Sequence, residues 1–122
     1  MHLWLSLLLA GGFQMVGSLN LHQKDLHLTL KPTAQTMQQG VTAYDFLWTY
    51  RDLPPSTTVE VVYTHTDGTV TVKTHEIASK SHEEGQFRLG FTTLLLQKER
   101  IKNITYRWKA GTRTLAEGVL IR

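Results

Sequence analysis

The 122 residues leave room for one domain of ordinary size, and a composition of 41% hydrophobic and 19% charged residues is that of a folded chain rather than a disordered one. The absence of cysteine excludes disulfides, zinc-thiolate sites, iron-sulfur clusters, thiol catalysis and lipid attachment through cysteine. The formal charge of +3 is unevenly spread, because residues 98–122 hold seven of the thirteen Lys and Arg and only Glu99 and Glu117, which makes that segment +5 and the remainder −2.

The chain begins with an apolar run, Leu3 to Val16, broken only by Ser6 and Gln14. About 20 apolar residues are needed to cross a bilayer, so the run has the length of a signal-peptide core rather than of a membrane span. Val16-Gly17-Ser18 supplies the small residues a signal peptidase requires, although the segment before the run has His2 and no Lys or Arg. The expected division is therefore a signal peptide over 1–18, with an uncleaved anchor as the alternative, and a folded domain over 19–122. Export places the domain outside the cell or in a bacterial periplasm or envelope. The lack of disulfides favours the bacterial case, since small animal secreted folds lean on them.

Beyond residue 18 the dominant pattern is alternation of apolar and polar residues, with β-branched and aromatic side chains, and it predicts strands near 25–30, 41–51, 59–65, 69–77, 86–92, 103–110 and 114–121. Tyr44, Phe46, Trp48 and Tyr50 alternate along the second of these and share a face opposite Val41, Ala43, Asp45, Leu47 and Thr49. Asp52-Leu53-Pro54-Pro55 ends that strand, because two prolines cannot both sit in a central strand. Asp67-Gly68 then predicts a hairpin with a two-residue type I′ turn, which pairs His65 with Val70 and Tyr63 with Val72 and gathers Val59, Val61, Tyr63, Val70 and Val72 on one face. Residues 78–85 form a polar loop. Thr92 to Asn103 reads as strand, as a helical turn or as both. The last hairpin turns at Gly111-Thr112-Arg113, where turns of two and of three residues bury opposite faces of the final strand.

Seven short strands at this spacing predict an all-β fold, a single antiparallel seven-stranded β-sandwich behind the N-terminal hydrophobic signal segment. The order of a strand with Trp48, the turn Asp52-Leu53-Pro54-Pro55, a strand with Tyr63 and a late strand Tyr106-Arg107-Trp108-Lys109-Ala110 resembles an immunoglobulin-like or fibronectin type III-like module over most of residues 25–121. The chain departs from the immunoglobulin pattern in lacking its paired cysteines. The resemblance implies binding or scaffolding rather than catalysis.

No catalytic or metal-ligating set assembles from the spacings. In the type I′ register His65 and His75 lie on opposite faces, His22 and His27 are five positions apart in extended chain, and no H-E-x-x-H spacing occurs. Ser81-His82-Glu83-Glu84 offers a hydroxyl, an imidazole and two carboxylates, yet neighbours in one loop do not make preorganised acid-base geometry. No G-x-S-x-G elbow, phosphate loop or nucleotide fingerprint is present, so no cofactor is expected.

Three features remain as surfaces. Lys98, Arg100, Lys102, Arg107 and Lys109 form a basic run, its last two members on the face of their strand opposite Ile104, Tyr106 and Trp108, and it is either a solvated face or a site for an acidic protein, an acidic glycan or an anionic headgroup surface; nucleic acid is not expected at so small a net charge. Trp48 and Trp108 would stack on sugars if exposed and are core if buried. Asn103-Ile104-Thr105 matches a glycosylation sequon, relevant only in a eukaryotic secretory pathway. The leading expectation is a non-catalytic secreted or envelope module, alone or as a subunit of a larger assembly, that binds another protein through loops or an exposed strand edge. A carbohydrate-binding module is the alternative. A small hydrolase or metal enzyme is a third, which would need a concave site gathering His and carboxylates.

Overall fold

A computed structural model describes residues 13–15, 19–23, 26–77 and 84–122. It contains eight strands: β1 (Leu19–Gln23), β2 (Leu26–Thr36), β3 (Thr42–Arg51), β4 (Thr57–His65), β5 (Val70–Glu76), β6 (Gly85–Thr92), β7 (Ile101–Ala110) and β8 (Arg113–Ile121). A short helix, α1 (Thr93–Lys98), joins β6 to β7, and a 3-10 turn covers Gln38–Gly40. The strands form two antiparallel four-stranded sheets, ordered β1-β2-β3-β6 and β5-β4-β7-β8, which stack as a sandwich. Seven of the eight lie where alternation predicts them, and β1 is an addition that pairs with β2.

The aromatic strand fixes the centre. Tyr44, Phe46, Trp48 and Tyr50 all point inward, and Trp48 meets Tyr106 edge-on at 5.3 Å, Phe87 at 5.7 Å and Trp108 at 6.0 Å between ring centroids. Large rings fill the space that a disulfide would otherwise clamp. Two of these tyrosines lie across glycines in the adjacent strand. A Cβ at Gly85 would sit 2.4 Å from the Tyr50 ring, and one at Gly118 would sit 2.9 Å from the Tyr106 hydroxyl, so each phenol uses the volume its partner leaves empty.

The ambiguous run after Thr92 resolves into both alternatives. Thr92 caps α1 by accepting from the Leu95 amide at 3.2 Å, and the chain re-enters a strand at Ile101. A second threonine, Thr93, accepts from the buried Thr42 amide at 3.2 Å and ties the helix to the start of β3. The last hairpin has a two-residue turn at Gly111-Thr112, with Ala110 opposite Arg113, but irregularities at Trp108/Lys109 and Ile104/Thr105 shift the register twice. Bulges of this kind are why neither simple parity describes β8, whose consecutive residues Leu120 and Ile121 are both fully buried.

One expectation is overturned. The β4–β5 hairpin is not a type I′ turn. The His65 amide donates to the Thr69 carbonyl at 2.9 Å and the Gly68 amide to the His65 carbonyl at 2.9 Å, and in this turn Gly68 (φ 89°) has positive φ while Asp67 does not. This is a three-residue loop closed by a glycine bulge. The Asp67 carboxylate stabilises it by accepting from the Thr69 amide at 2.9 Å and the Thr69 hydroxyl at 2.6 Å, which holds its pKa below the ordinary value. The extra residue slips the pairing by one, so that Val62 faces Val72, Thr64 faces Val70 and Tyr63 faces Thr71. Val59 and Val61 stay in the core while Val70 and Val72 are 55% and 53% exposed.

Residues 13–15 lie inside the expected leader. Gln14 exchanges two backbone hydrogen bonds with Arg122, at 2.8 and 3.1 Å, and Met15 bridges Ile121, while Phe13 and Met15 pack on the core. The rest of that expected 1–18 segment lies outside the described residues. Among the described residues no helix is long and apolar enough to cross a membrane.

Candidate protein-binding surface

The slipped register turns β5 inside out. Its apolar residues, Val70 and Val72, face solvent on the outer side of the sheet, and Thr71, Lys73 and His75 occupy the side that faces the other sheet. Across the gap stands β6, with Phe87, Leu89 and Phe91 directed inward; His75 lies 5.2 Å from the Phe87 ring, and Tyr63 meets Phe91 edge-on at 6.0 Å. Polar and cationic side chains cannot close over this apolar row as valines would, so Phe87 and Leu89 remain only partly buried. Among the described residues the flank of the sandwich between β5 and β6 is therefore open.

Near the hairpin tip this opening widens to a cavity of about 170 Å³, lined by Tyr63, Phe91, Leu96 and Ile101 below and by His65, Thr71, Lys73, Leu95 and Glu99 around the rim. Its walls are held by the tip itself. The Thr66 amide donates to the Arg100 carbonyl at 2.8 Å. His65 Nδ1 lies 2.8 Å from the Glu99 carbonyl and Nε2 lies 2.9 Å from Thr71 Oγ1. A carbonyl only accepts, so Nδ1 carries the hydrogen in its bond to Glu99. Lys73 Nζ sits 5.3 Å from the centroid of Tyr63, a cation over a π face. Burial pushes the Tyr63 phenol above its ordinary value.

The free edge of β5 has a definite set of hydrogen-bonding groups. The His65–Thr69 bond at one end and the Ile77–Thr57 bond at the other mark every second pair of the hairpin as a bonded pair. In an antiparallel ladder the intervening pairs are not bonded to each other, so the amides and carbonyls of Val70, Val72, Thr74 and Glu76 point away from β4, where no described strand pairs with them.

The basic residues divide into two groups. Arg107 and Lys109 lie on the outer face of β7, as alternation predicts, and each has an acidic neighbour: Arg107 Nε is 3.0 Å from Glu117 and Lys109 Nζ is 3.8 Å from Glu60. Exposed pairs of this kind contribute little to stability, but they leave this part of the face compensated in charge. Lys98, Arg100 and Lys102 are exposed at the end of α1 and the start of β7, with no ion-pair partner among the described residues. They flank Glu99 and Ile101, two of the cavity residues.

The other sequence candidates are placed plainly. Trp48 and Trp108 are 0% exposed, so neither indole offers a face to a sugar, and the physical basis for glycan stacking at these two residues is removed. Asn103 is half-buried opposite Thr64 on β7. His65 and His75 share the inner side of the hairpin, contrary to the type I′ register, but they stand near its opposite ends; among the described residues no group of three His, Asp or Glu is placed to hold a metal. Of the loop Ser81-His82-Glu83-Glu84 only Glu84 is described. Sequence reasoning missed the open flank because it rests on the hairpin turn, and the signal it contained was Thr69, whose hydroxyl and amide complete the Asp67 turn.

No protein-family model matches the chain, and no curated protein matches it in sequence.

Proposed function

We propose that this chain is an exported, non-catalytic β-sandwich module of the immunoglobulin-like or fibronectin type III-like kind whose task is to bind another protein. The connectivity supports the architectural part: β2-β3-β6 stacks on β5-β4-β7-β8, and the chain crosses between sheets from β3 to β4, from β5 to β6 and from β6 to β7. Export rests on the apolar run Leu3 to Val16 and the small residues after it.

The observation that carries the binding reading is the inside-out edge strand β5. Stability alone gives no reason to place Val70 and Val72 in water and Lys73 opposite an aromatic row, whereas a surface that meets a partner does. An outer-face row of Val72, Val62, Thr105 and Val119, continuous across all four strands, adjoins the same edge. A photoreactive amino acid at Val72, expressed in the native host, is expected to give one discrete protein adduct, with none from the same group at Thr112 in the far hairpin. Equal labelling at both positions, or no adduct at either, would overturn the reading.

A further inference from the structure

We infer that the occupant of the β5 edge is an extended acidic segment of a partner protein, added as a ninth strand with one apolar side chain seated in the cavity beside Tyr63. The inference rests on the protein-binding reading and goes further by naming the site and the chemistry of what fills it. Three independent features converge on it.

The first is the backbone. The outward amides and carbonyls of Val70, Val72, Thr74 and Glu76 provide the hydrogen-bonding frame that an added strand requires. Natural proteins blunt such edges by keeping them short, by placing proline or a bulge on them, or with charged side chains, inward-pointing ones included. This edge is seven residues long and contains no proline; Lys73, turned inward over Tyr63, is a charge of the last kind, and an acidic occupant would neutralise it.

The second is the alternation of side chains. A strand added to β5 sends every second side chain outward, beside Val70 and Val72, and the others inward, into the opening between β5 and β6. The cavity there, about 170 Å³ with a floor of Tyr63, Phe91, Leu96 and Ile101, is of the size of a single aliphatic side chain. Leu95, 43% exposed, adds apolar surface at its rim.

The third is charge. The cavity and the chain neighbours of its α1–β7 wall carry Lys73, Lys98, Arg100 and Lys102 against the single acid Glu99. None of these four cations has an ion-pair partner among the described residues. An acidic segment meets them; a basic one is repelled. The outer face around Arg107 and Lys109 already holds its own acids and has no such demand.

The probe is the blocked pentapeptide Ac-Glu-Val-Leu-Val-Glu-NH2, whose alternation gives an inward Glu, Leu and Glu and two outward valines. It is titrated into the folded protein while backbone amide resonances are followed by NMR. The expected result is saturable binding in the micromolar to millimolar range, with the largest shifts at the amides of Val70, Val72, Thr74 and Glu76 and at the cavity residues. Binding weakens at least tenfold with Lys73→Glu, with Val72→Pro, which deletes an outward donor without touching the β4 ladder, and between 50 and 500 mM salt as rough working limits. Each variant is checked for folding by its amide dispersion, and Lys109→Glu, on the compensated outer face, is expected to bind as the parent does. The same peptide with Lys in place of both Glu is expected not to bind. Absence of any shift at millimolar peptide overturns the proposal. Shifts confined to Val62, Thr105 and Val119 overturn the edge assignment while leaving a protein-binding role standing, as does concentration-dependent dimerisation through β5, which would make a second copy of this chain the occupant.

Discussion

Replacing Val61 and Val72 by alanine, one at a time, separates the two faces of the hairpin. Val61 is wholly buried, and its truncation removes two methyl groups from the core. At about 0.8 kcal/mol per buried carbon, plus a term for the cavity that remains, the expected loss is roughly 2–3 kcal/mol. Val72 is 53% exposed on the outer face, where surface substitutions usually change stability by less than about 1 kcal/mol, β-propensity included. Urea unfolding followed by tryptophan fluorescence reads both, since Trp48 and Trp108 are buried in the fold. With a slope of about 1.3 kcal/mol/M for a domain of this size, Val61→Ala should lower the midpoint by roughly 1.5–2.3 M and Val72→Ala by less than about 0.8 M. Equal losses, or a larger loss at Val72, would refute the inside-out reading of β5, because they would require the two valines to share the interior.

Other outcomes follow from single contacts. Gly118→Ala places a Cβ 2.9 Å from the Tyr106 hydroxyl and Gly85→Ala places one 2.4 Å from the Tyr50 ring; both are expected to cost about 1–3 kcal/mol by thermal or urea unfolding, with Gly85→Ala the more severe, and unchanged stability would contradict the cross-strand packing. Arg100 has a left-handed backbone (φ 52°) just past the end of α1, where glycine is normally favoured. Arg100→Gly should therefore raise stability by about 0.5–1 kcal/mol while weakening capture of the acidic peptide; a destabilised variant would contradict the strain argument. Burial raises the phenol pKa of Tyr44, Tyr63 and Tyr106 above 10.0. The folded state thus holds these protons more firmly than the unfolded chain. Their stabilisation is present below the ordinary phenol value and is lost as pH rises through the higher folded values. The urea midpoint should fall between pH 9 and 11, less so in Tyr63→Phe, and a flat midpoint over that range would contradict it.

Much of the architecture was legible because its signals were redundant. Four aromatic residues alternating from Tyr44 to Tyr50 must share one face of a strand, and the prolines after Leu53 mark where that strand ends. The inward row Ile104, Tyr106 and Trp108 with Arg107 and Lys109 outside was equally plain. Failure came where a single residue decides a face. Asp67-Gly68 serves both a two-residue turn and a three-residue turn with a bulge, and the two differ by one step of register, which exchanges every side chain of β5 between interior and solvent. The valine pattern of β5 agreed with the wrong choice, since apolar residues at an exposed edge look like core residues to any argument from alternation. The same weakness hid the register of β8, where two bulges intervene. Of the candidate surface, the cations Lys98, Arg100 and Lys102 were visible in the sequence, but their neighbourhood to Tyr63 and Lys73 depends on the hairpin tip docking, through His65 and Thr66, on the turn between α1 and β7, a tertiary contact with no local signature. The burial of Trp48 and Trp108 was one of two readings the sequence allowed, and the packing of the two indoles on each other and on Phe87 selects it.

The most direct measurement is the set of cross-strand Hα–Hα contacts in the hairpin by NMR on the free protein. The account requires close approaches between Val62 and Val72 and between Thr64 and Val70, two of the four unbonded pairs whose β5 amides point to the open edge. Contacts joining Tyr63 to Val72 and Val61 to Thr74 would return the valines of β5 to the interior, close the flank beside β6, and contradict the site built upon it.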